Sequence, residues 1–338
     1  MKAWENNMEQ LELAIQEIKK EMPGLELHEN EPMSGHCSFR IGGPVRALAT
    51  PQDVTGLTKL CYLLKKHELA PYILGNGTNI LFPDEGLSDL FIISTEKLTK
   101  MFLLSEDTIY AESGVSLSKL ASFAQQNGLT GLEFASGIPG SVGGGLMMNA
   151  GAYGGELKDA VESVVIHFLP EQALYELTNE QCAFGYRSSF FQKMPGCVIL
   201  SGVFHLEKGE ADKIAEKMRE LNAKRREKQP LDLPSAGSAF KRPAGGFAAA
   251  LIDEAGLKGC TVGGAQVSEK HAGFVVNIGN ASSHDVYDLM MHIRRTVYEH
   301  SKVVLEPEMI ILPPDYKLED HGPQVPLHRV WGKTESQE

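Results

Sequence analysis

The sequence predicts an α+β protein, on three observations. Apolar residues recur at helical spacing near the start and in the last third of the chain. Strand candidates crowd the stretch from about 71 to 207, with few helices among them and no regular βα alternation. One segment, residues 131–155 (GLEFASGIPGSVGGGLMMNAGAYGG), is almost bare of large side chains.

Taken in order, Met8, Leu11, Ile15 and Ile18 make an amphipathic helix over 8–20. Around 38–44 the texture changes to Gly and β-branched residues. Pro51 and Asp53 open a second helix, whose stripe is Val54, Leu57, Leu60, Cys61 and Leu64. Residues 71–74 form a short strand that runs into Gly75-Asn76-Gly77-Thr78-Asn79, after which Ile80–Phe82 resume the apolar run. Further strands are expected at 90–95, 101–112, 161–169, 173–178 and 197–207, with a helix near 116–127 ended by Gly128. Residues 208–228 are helical again, with Ile214, Met218 and Leu221 apolar and a basic end that marks a boundary before Pro230. Beyond it come a helix at 246–255 stopped by Gly256, strands within 261–278, and a helix from 284 striped by Val286, Leu289, Met290, Ile293 and Val297. A strand at 303–312 closes the fold, and 316–338 read as a polar tail.

At 338 residues the chain has room for two or three domains. A hydrophobic fraction of 42% with 22% charged residues places it among globular proteins. The formal charge of −12 argues against nonspecific binding to nucleic acid or anionic membranes. Five cysteines without CxxC spacing signal neither a disulfide framework nor a zinc site, so no metal is expected. They suit a reducing, cytoplasmic setting. The first residues carry no apolar signal region, and no apolar run reaches the length of a membrane span.

Four constellations could carry chemistry. The turn Gly75–Asn79 can present consecutive N–H groups to an anion, and residues 137–145 can do the same. Neither is a P-loop or a dinucleotide fingerprint, and alone each is equally a turn or a surface loop. Two such turns in one strand-rich region could hold the two halves of a pyrophosphate. Ser238 lies among small residues in PSAGSAFKRP (234–243), where a hydroxyl can face a ligand or cap a turn. Arg187, in FGYRSSFF (184–191), follows an aromatic and precedes two hydroxyls, as a fixed fork donor or as a surface ion-pair residue. Glu306 and Glu308 flank Pro307 in an apolar strand and would share a face. A carboxyl there should have a raised pKa, unless this is a plain edge strand.

With SFRIGGPVRAL (38–48), ILGNGTNILF (73–82), DEAGLKG (253–259), GGAQVSEKHAGFVVN (263–277) and LEPEMIIL (305–312) added in chain order, the sequence resembles the UDP-N-acetylenolpyruvoylglucosamine reductase family. The match spans about 36 to 312, and the short 234–243 turn is similar to the branch lacking a tyrosine-bearing substrate loop. The resemblance implies a two-subdomain FAD-binding region of the vanillyl-alcohol-oxidase/PCMH type and a separate α/β substrate-binding domain. The implied divisions are a helical lead-in at 1–35, the FAD-binding region at 36–208 (subdomains 36–97 and 98–208), the substrate domain at 209–315 and the tail at 316–338.

It also implies non-covalent FAD, NADPH as reductant and UDP-N-acetylglucosamine enolpyruvate as substrate, in a cytoplasmic monomer. Hydride would pass from reduced flavin N5 to C3 of the enolpyruvyl group, and Ser238 would protonate C2 to give UDP-N-acetylmuramate for peptidoglycan synthesis. Arg187, Ser238 and Glu308 fall on the catalytic positions. The implied cofactor contacts are Arg40, Gly75, Asn76, Gly77, Thr78, Asn79, Gly137, Ile138, Pro139, Gly140, Ser141, Gly143, Gly144, Asn149, Ala150 and Gly151. Tyr186, Lys228, Lys241, Arg242 and His271 are the implied substrate contacts, Arg242 standing where some members have Asn. The turn reads GNGTNIL where several members have GGGSNLL, but Asn and Thr remain donors. A flavin oxidase is the rival class, yet neither 73–82 nor 131–155 holds a His or Cys to tether a flavin.

Overall fold

A computed structural model describes residues 2–312; the expected tail at 316–338 lies outside the described residues. The chain divides into two compact units. The first comprises 1–31, 45–76 and 88–225, and the second takes in 32–44, 77–87 and the chain from 226 onward.

This division runs differently from the linear domains expected from sequence. The amphipathic helix α1 (Lys2–Glu21) is no detached lead-in. Its Leu11, Ala14, Ile15 and Ile18 are buried in one cluster with Leu57, Leu60, Cys61 and Leu64 of α2 (Val54–Lys66) and Phe91 and Ile93 beneath them. Asp53 caps α2 by accepting from Gly56 N–H at 2.7 Å. These helices belong with a four-stranded sheet in the order 26–32, 44–50, 87–94, 72–74. The strand Glu26–Pro32 escaped sequence reading because its residues are nearly all polar, alternating exposed and half-buried.

The second half of the first unit is a five-stranded sheet ordered 173–178, 161–168, 197–205, 108–112, 101–103, antiparallel throughout. The stretch 101–112 is therefore two strands, turned at Ser105–Asp107, where Ser105 Oγ donates to Asp107 Oδ1. Packed with it are α3 (Leu117–Gln126), capped by Ser116, and α4 (Val142–Met148). A helix inside the glycine-rich segment was not expected, since Gly costs about 1 kcal/mol relative to Ala in a helix interior. Two of its three glycines are explained by packing. A Cβ on Gly143 would lie 2.8 Å from Ser113 Cβ, and one on Gly145 would lie 2.8 Å from Leu157 Cδ1 and 3.1 Å from Leu117 Cδ1.

A one-turn helix α5 (Phe190–Lys193) precedes strand 197–205. The long helix α6 (Ala211–Lys228) sits up to Arg225 in the first unit, not in a substrate domain beginning at 209. Its Ile214 and Leu221 are buried, and Asn222 Nδ2 donates to Ser136 Oγ at 3.2 Å.

The second unit carries a four-stranded antiparallel sheet, ordered 235–238, 274–277, 265–267, 261–262, with helices α7 (Ala248–Glu254) and α8 (Ser283–Ser301). Ser282 caps α8, and Val286, Leu289, Met290, Ile293 and Val297 are buried along the expected stripe. The expected closing strand shrinks to Ile310–Ile311, parallel to Ile80–Leu81. Pro307 has no N–H to give a ladder and makes only a single bridge with Phe240. No helix among the described residues is long and apolar enough to cross a membrane.

One buried group gives the first unit a pH signature. His167 is 3% exposed in strand 161–168, and neither ring nitrogen makes a hydrogen bond of ordinary geometry. Burial pulls its pKa down; Gln172 nearby opposes that weakly, and the Lys65 charge adds to it. The folded state therefore holds the imidazole neutral, and stability is complete above the unfolded value of about 6.5. It falls as pH drops through that value towards the lower folded one, because the unfolded chain binds the proton first. Thermal unfolding between pH 8 and 5 is expected to show this decline, and His167→Leu is expected to flatten it.

Candidate active site

Within the first unit the two glycine-rich turns meet. Asn76 Nδ2 donates to Pro139 O at 3.0 Å. A Cβ on Gly75 would lie 2.6 Å from Ser141 Oγ, so the side chain of one turn packs directly on the bare backbone of the other. Several expected contacts nevertheless use their polar groups internally. The Gly143 N–H donates to Ser113 O at 2.8 Å, Ser141 Oγ caps α4 by accepting from Gly144 N–H at 3.3 Å, and Ile138 packs against the sheet core. Pro139, Gly140 and Gly144 line the more accessible side of the turn.

Sequence reasoning missed Arg225, hidden in the basic run 224–228 that reads as a solvated helix end. Its side chain runs beneath Gly137, whose Cβ, were there one, would lie 3.0 Å from Arg225 Cδ and 2.5 Å from Asn222 Oδ1. Arg225 Nε is buried without a hydrogen-bond partner among the described residues. Burial pulls the guanidinium pKa below its usual value, opposed only by the Tyr153 hydroxyl nearby. A desolvated cation with an idle donor is costly unless an anion or carbonyl meets it.

Arg187 occupies a left-handed turn, φ 50°, between Gly185 and Ser188, whose backbones bond to each other. Such backbone in a non-glycine residue is uncommon and clusters at functional positions. Its Nη2 donates to Gly151 O at 3.2 Å, and its Cζ lies 5.1 Å from the Tyr186 ring centroid. Tyr186 is exposed. Ala150 and Asn149 are buried, and Asn149, expected as a cofactor contact, is fully enclosed by protein partners.

The second unit brings Ser238 and Glu308 together. The Glu308 N–H donates to Ala239 O at 2.9 Å, and Lys241 N–H donates to Glu306 O at 2.8 Å, around the Phe240–Pro307 bridge. Asn79 Nδ2 donates to Glu308 O at 3.1 Å, and Ile310 N–H donates to Asn79 O at 3.0 Å. Three distant segments thus converge: the end of the 75–79 turn, residues 238–241 and residues 306–311. Glu306 and Glu308 differ in environment: Glu306 is exposed, 3.6 Å from Lys241 Nζ, whereas Glu308 is half-buried. Ser238 is half-buried and paired with Phe274, and Thr78 is half-buried as well.

Next to this convergence His271 accepts from Gly273 N–H at its Nδ1, 3.1 Å away, with its ring edge-on to Phe274. Burial pulls the His271 pKa down, a backbone hydrogen bond opposes this, and the charges of Lys258 and Lys228 push it lower. Lys258 and the expected Lys228 place two positive charges near a neutral His271. Arg242, exposed, stacks 4.4 Å from the Phe247 ring centroid. Arg40 lies in an exposed left-handed turn, φ 57°, close in sequence to Ser38, whose Oγ donates to Ser235 O at 2.6 Å. Among the described residues no group of His, Cys, Asp or Glu is arranged to hold a metal ion.

Comparison with known proteins agrees with this picture. Residues 45–168 match the family described as FAD binding domain, which makes the chain a flavin-dependent oxidoreductase by class. Residues 229–312 match the C-terminal domain of UDP-N-acetylenolpyruvoylglucosamine reductase. The reductase of that name from Caldanaerobacter subterraneus subsp. tengcongensis is 44% identical over 89% of this chain and 98% of its own, and that from Limosilactobacillus reuteri is 43% identical over 87% and 98%. The solved structure of the Thermus caldophilus reductase superposes with a TM-score of 0.71 at 34% identity, covering 86% of this chain and 99% of its own. The chain belongs to the UDP-N-acetylenolpyruvoylglucosamine reductase family.

The residues present fit FAD. Two side-chain-poor turns held in register offer backbone to a flat, anionic nucleotide, and the idle Nε of Arg225 offers a donor beside them.

Proposed function

We propose that the protein reduces UDP-N-acetylglucosamine enolpyruvate to UDP-N-acetylmuramate with electrons from NADPH. FAD, when bound, supplies the hydride chemistry. In this reading Gly75, Asn76, residues 137–140 and Arg225 hold it in the first unit. The flavin is non-covalent and the working protein a cytoplasmic monomer, with neither nucleic acid nor membrane as partner.

The enol ether accepts hydride poorly unless the charge that develops on C2 and the carboxylate is stabilised as it forms. Arg187, cationic at any relevant pH, holds that carboxylate and offsets the charge. Glu308 in its protonated form donates to the same group, a use of a neutral carboxyl with precedent in enzyme chemistry. Ser238 gives its proton to C2 and so completes the lactyl ether. Lys228 and Lys258 supply the positive face that a diphosphate needs, with His271 as a neutral hydrogen-bonding neighbour, while Tyr186, Lys241 and Arg242 flank the sugar nucleotide.

The observation that carries this reading is the hydrogen bond from Glu308 N–H to Ala239 O, which joins the backbones of the segments holding Ser238 and Glu308, about 70 residues apart in sequence. Purified protein is expected to be yellow, to bleach anaerobically with NADPH and to recover its colour with the enolpyruvyl sugar nucleotide. Rapid reoxidation by air with no response to the sugar nucleotide would instead make it an oxidase. Arg225→Met, which keeps the bulk and removes the donor, is expected to lower flavin retention through gel filtration while leaving the circular dichroism of the fold unchanged.

A further inference from the structure

Asn149, Glu156 and the hairpin between them form a built device with no assigned task. Asn149 ends α4 in left-handed backbone, φ 46° and ψ 62°, and is wholly buried. The next residues make a tight hairpin, Gly151–Ala152 pairing with Gly155–Glu156 across Tyr153 (φ 53°) and Gly154 (φ 91°). Both central residues have positive φ, as the favoured two-residue turn requires.

The hairpin folds Glu156 back onto Asn149, whose side chain is fully engaged. Its Nδ2 donates to Glu156 Oε2 at 3.0 Å and to Gly185 O at 3.0 Å, and its Oδ1 accepts from Lys158 N–H at 3.0 Å. One buried amide therefore ties the hairpin to the 185–188 turn that carries Arg187. The hairpin answers from its own side: Gly151 O accepts from Arg187 Nη2 at 3.2 Å. Glu156 adds a field. Lys158 does most to hold its carboxyl below the usual range, burial opposes this, and Asn149 and the Arg187 charge lower it further, so the acid stays ionised near the guanidinium. A left-handed arginine needs such over-determination to keep one geometry.

We infer that Asn149 and Glu156 are positioning residues that fix the Arg187 guanidinium for the substrate carboxylate, and that Asn149 acts through Arg187 and not on the flavin. This rests on the catalytic role proposed for Arg187. A misplacement of about 1 Å costs roughly 10²-fold when geometry is what catalysis uses.

Asn149→Gly keeps the left-handed backbone and removes the amide, Glu156→Gln keeps the shape and removes the charge, and each is combined with Arg187→Ala. The two half-reactions are followed separately by stopped-flow absorbance. Binding of UDP-N-acetylmuramate to the oxidised protein is followed by calorimetry. Each single clamp variant is expected to reduce the flavin with NADPH at the wild-type rate, to reoxidise with the enolpyruvyl substrate roughly 10- to 100-fold more slowly, and to bind the product more weakly. With Arg187→Ala already in place, adding either clamp variant should change neither quantity further. Clamp losses that multiply with Arg187→Ala, or that fall equally on flavin reduction, would overturn the inference. An Arg187→Ala protein with normal reoxidation would overturn the Arg187 role itself, a distinct result. Should Asn149→Gly lower the unfolding temperature so far that it cannot be assayed, Glu156→Gln, changed at a partly exposed carboxylate, decides alone.

Discussion

Ser238→Ala is expected to leave flavin reduction by NADPH at its wild-type rate while turnover of the enolpyruvyl sugar nucleotide falls by roughly 10²–10⁴-fold, the range of general acid catalysis. The asymmetry follows from position. Ser238 sits at the end of strand 235–238, paired through its backbone with Phe274 and followed by Ala239, whose carbonyl receives the Glu308 N–H. Removing one half-buried hydroxyl alters none of those backbone bonds, so the scaffold around Glu308 and Asn79 persists. What disappears is the proton for C2, which only the second half-reaction consumes. Single-turnover traces of each half-reaction check this directly, and equal losses in both would remove Ser238 as the donor.

Gly77→Ala is expected to be the most damaging single-methyl change in the turn, costing about 2–5 kcal/mol of stability from left-handed strain and steric conflict together. Gly77 has φ 60°, and a Cβ there would lie 2.1 Å from His36 O and 2.9 Å from Cys37 Cα. Both obstacles are backbone. The Gly77 carbonyl also receives the Ser38 N–H at 3.0 Å, so the 36–38 segment has no freedom to withdraw. Urea unfolding of the variant, with flavin content measured alongside, tests the prediction. Gly154→Ala is the control: its φ is 91°, but a Cβ would have open space, so strain alone remains.

Much of this was legible in the chain, for identifiable reasons. α2 came through because Asp53 and a clean apolar stripe both marked it, and strands 161–168 and 173–178 because β-branched and aromatic residues lay between turn signals. α4 did not. Val142–Met148 holds three glycines, and the reason Gly143 and Gly145 suit this helix is the closeness of Ser113, Leu117 and Leu157, which only tertiary structure supplies. Asn149 entered the cofactor contacts only through the family resemblance. Its burial, and the three partners that saturate it, come from segments up to 36 residues away. Arg225 was masked by its neighbours: Lys224, Arg226 and Lys228 are exposed, and nothing in the run shows which basic side chain turns inward. Ser238 and Glu308 were candidates from the sequence, but periodicity placed Glu308 on a regular strand where only the single Phe240–Pro307 bridge forms.

The sulfur inventory has a consequence for survival in air. All five cysteines are free, and Cys37, Cys61, Cys182 and Cys197 are buried. Burial raises the Cys61 and Cys182 thiols to about 12 and Cys197 to about 11, with Cys37 raised as well. Peroxide and alkylating agents attack the thiolate, so these four sulfurs are chemically silent near neutrality. A reduced flavin exposed to oxygen generates peroxide at close range, and this polypeptide meets it with four of its five thiols already sheltered.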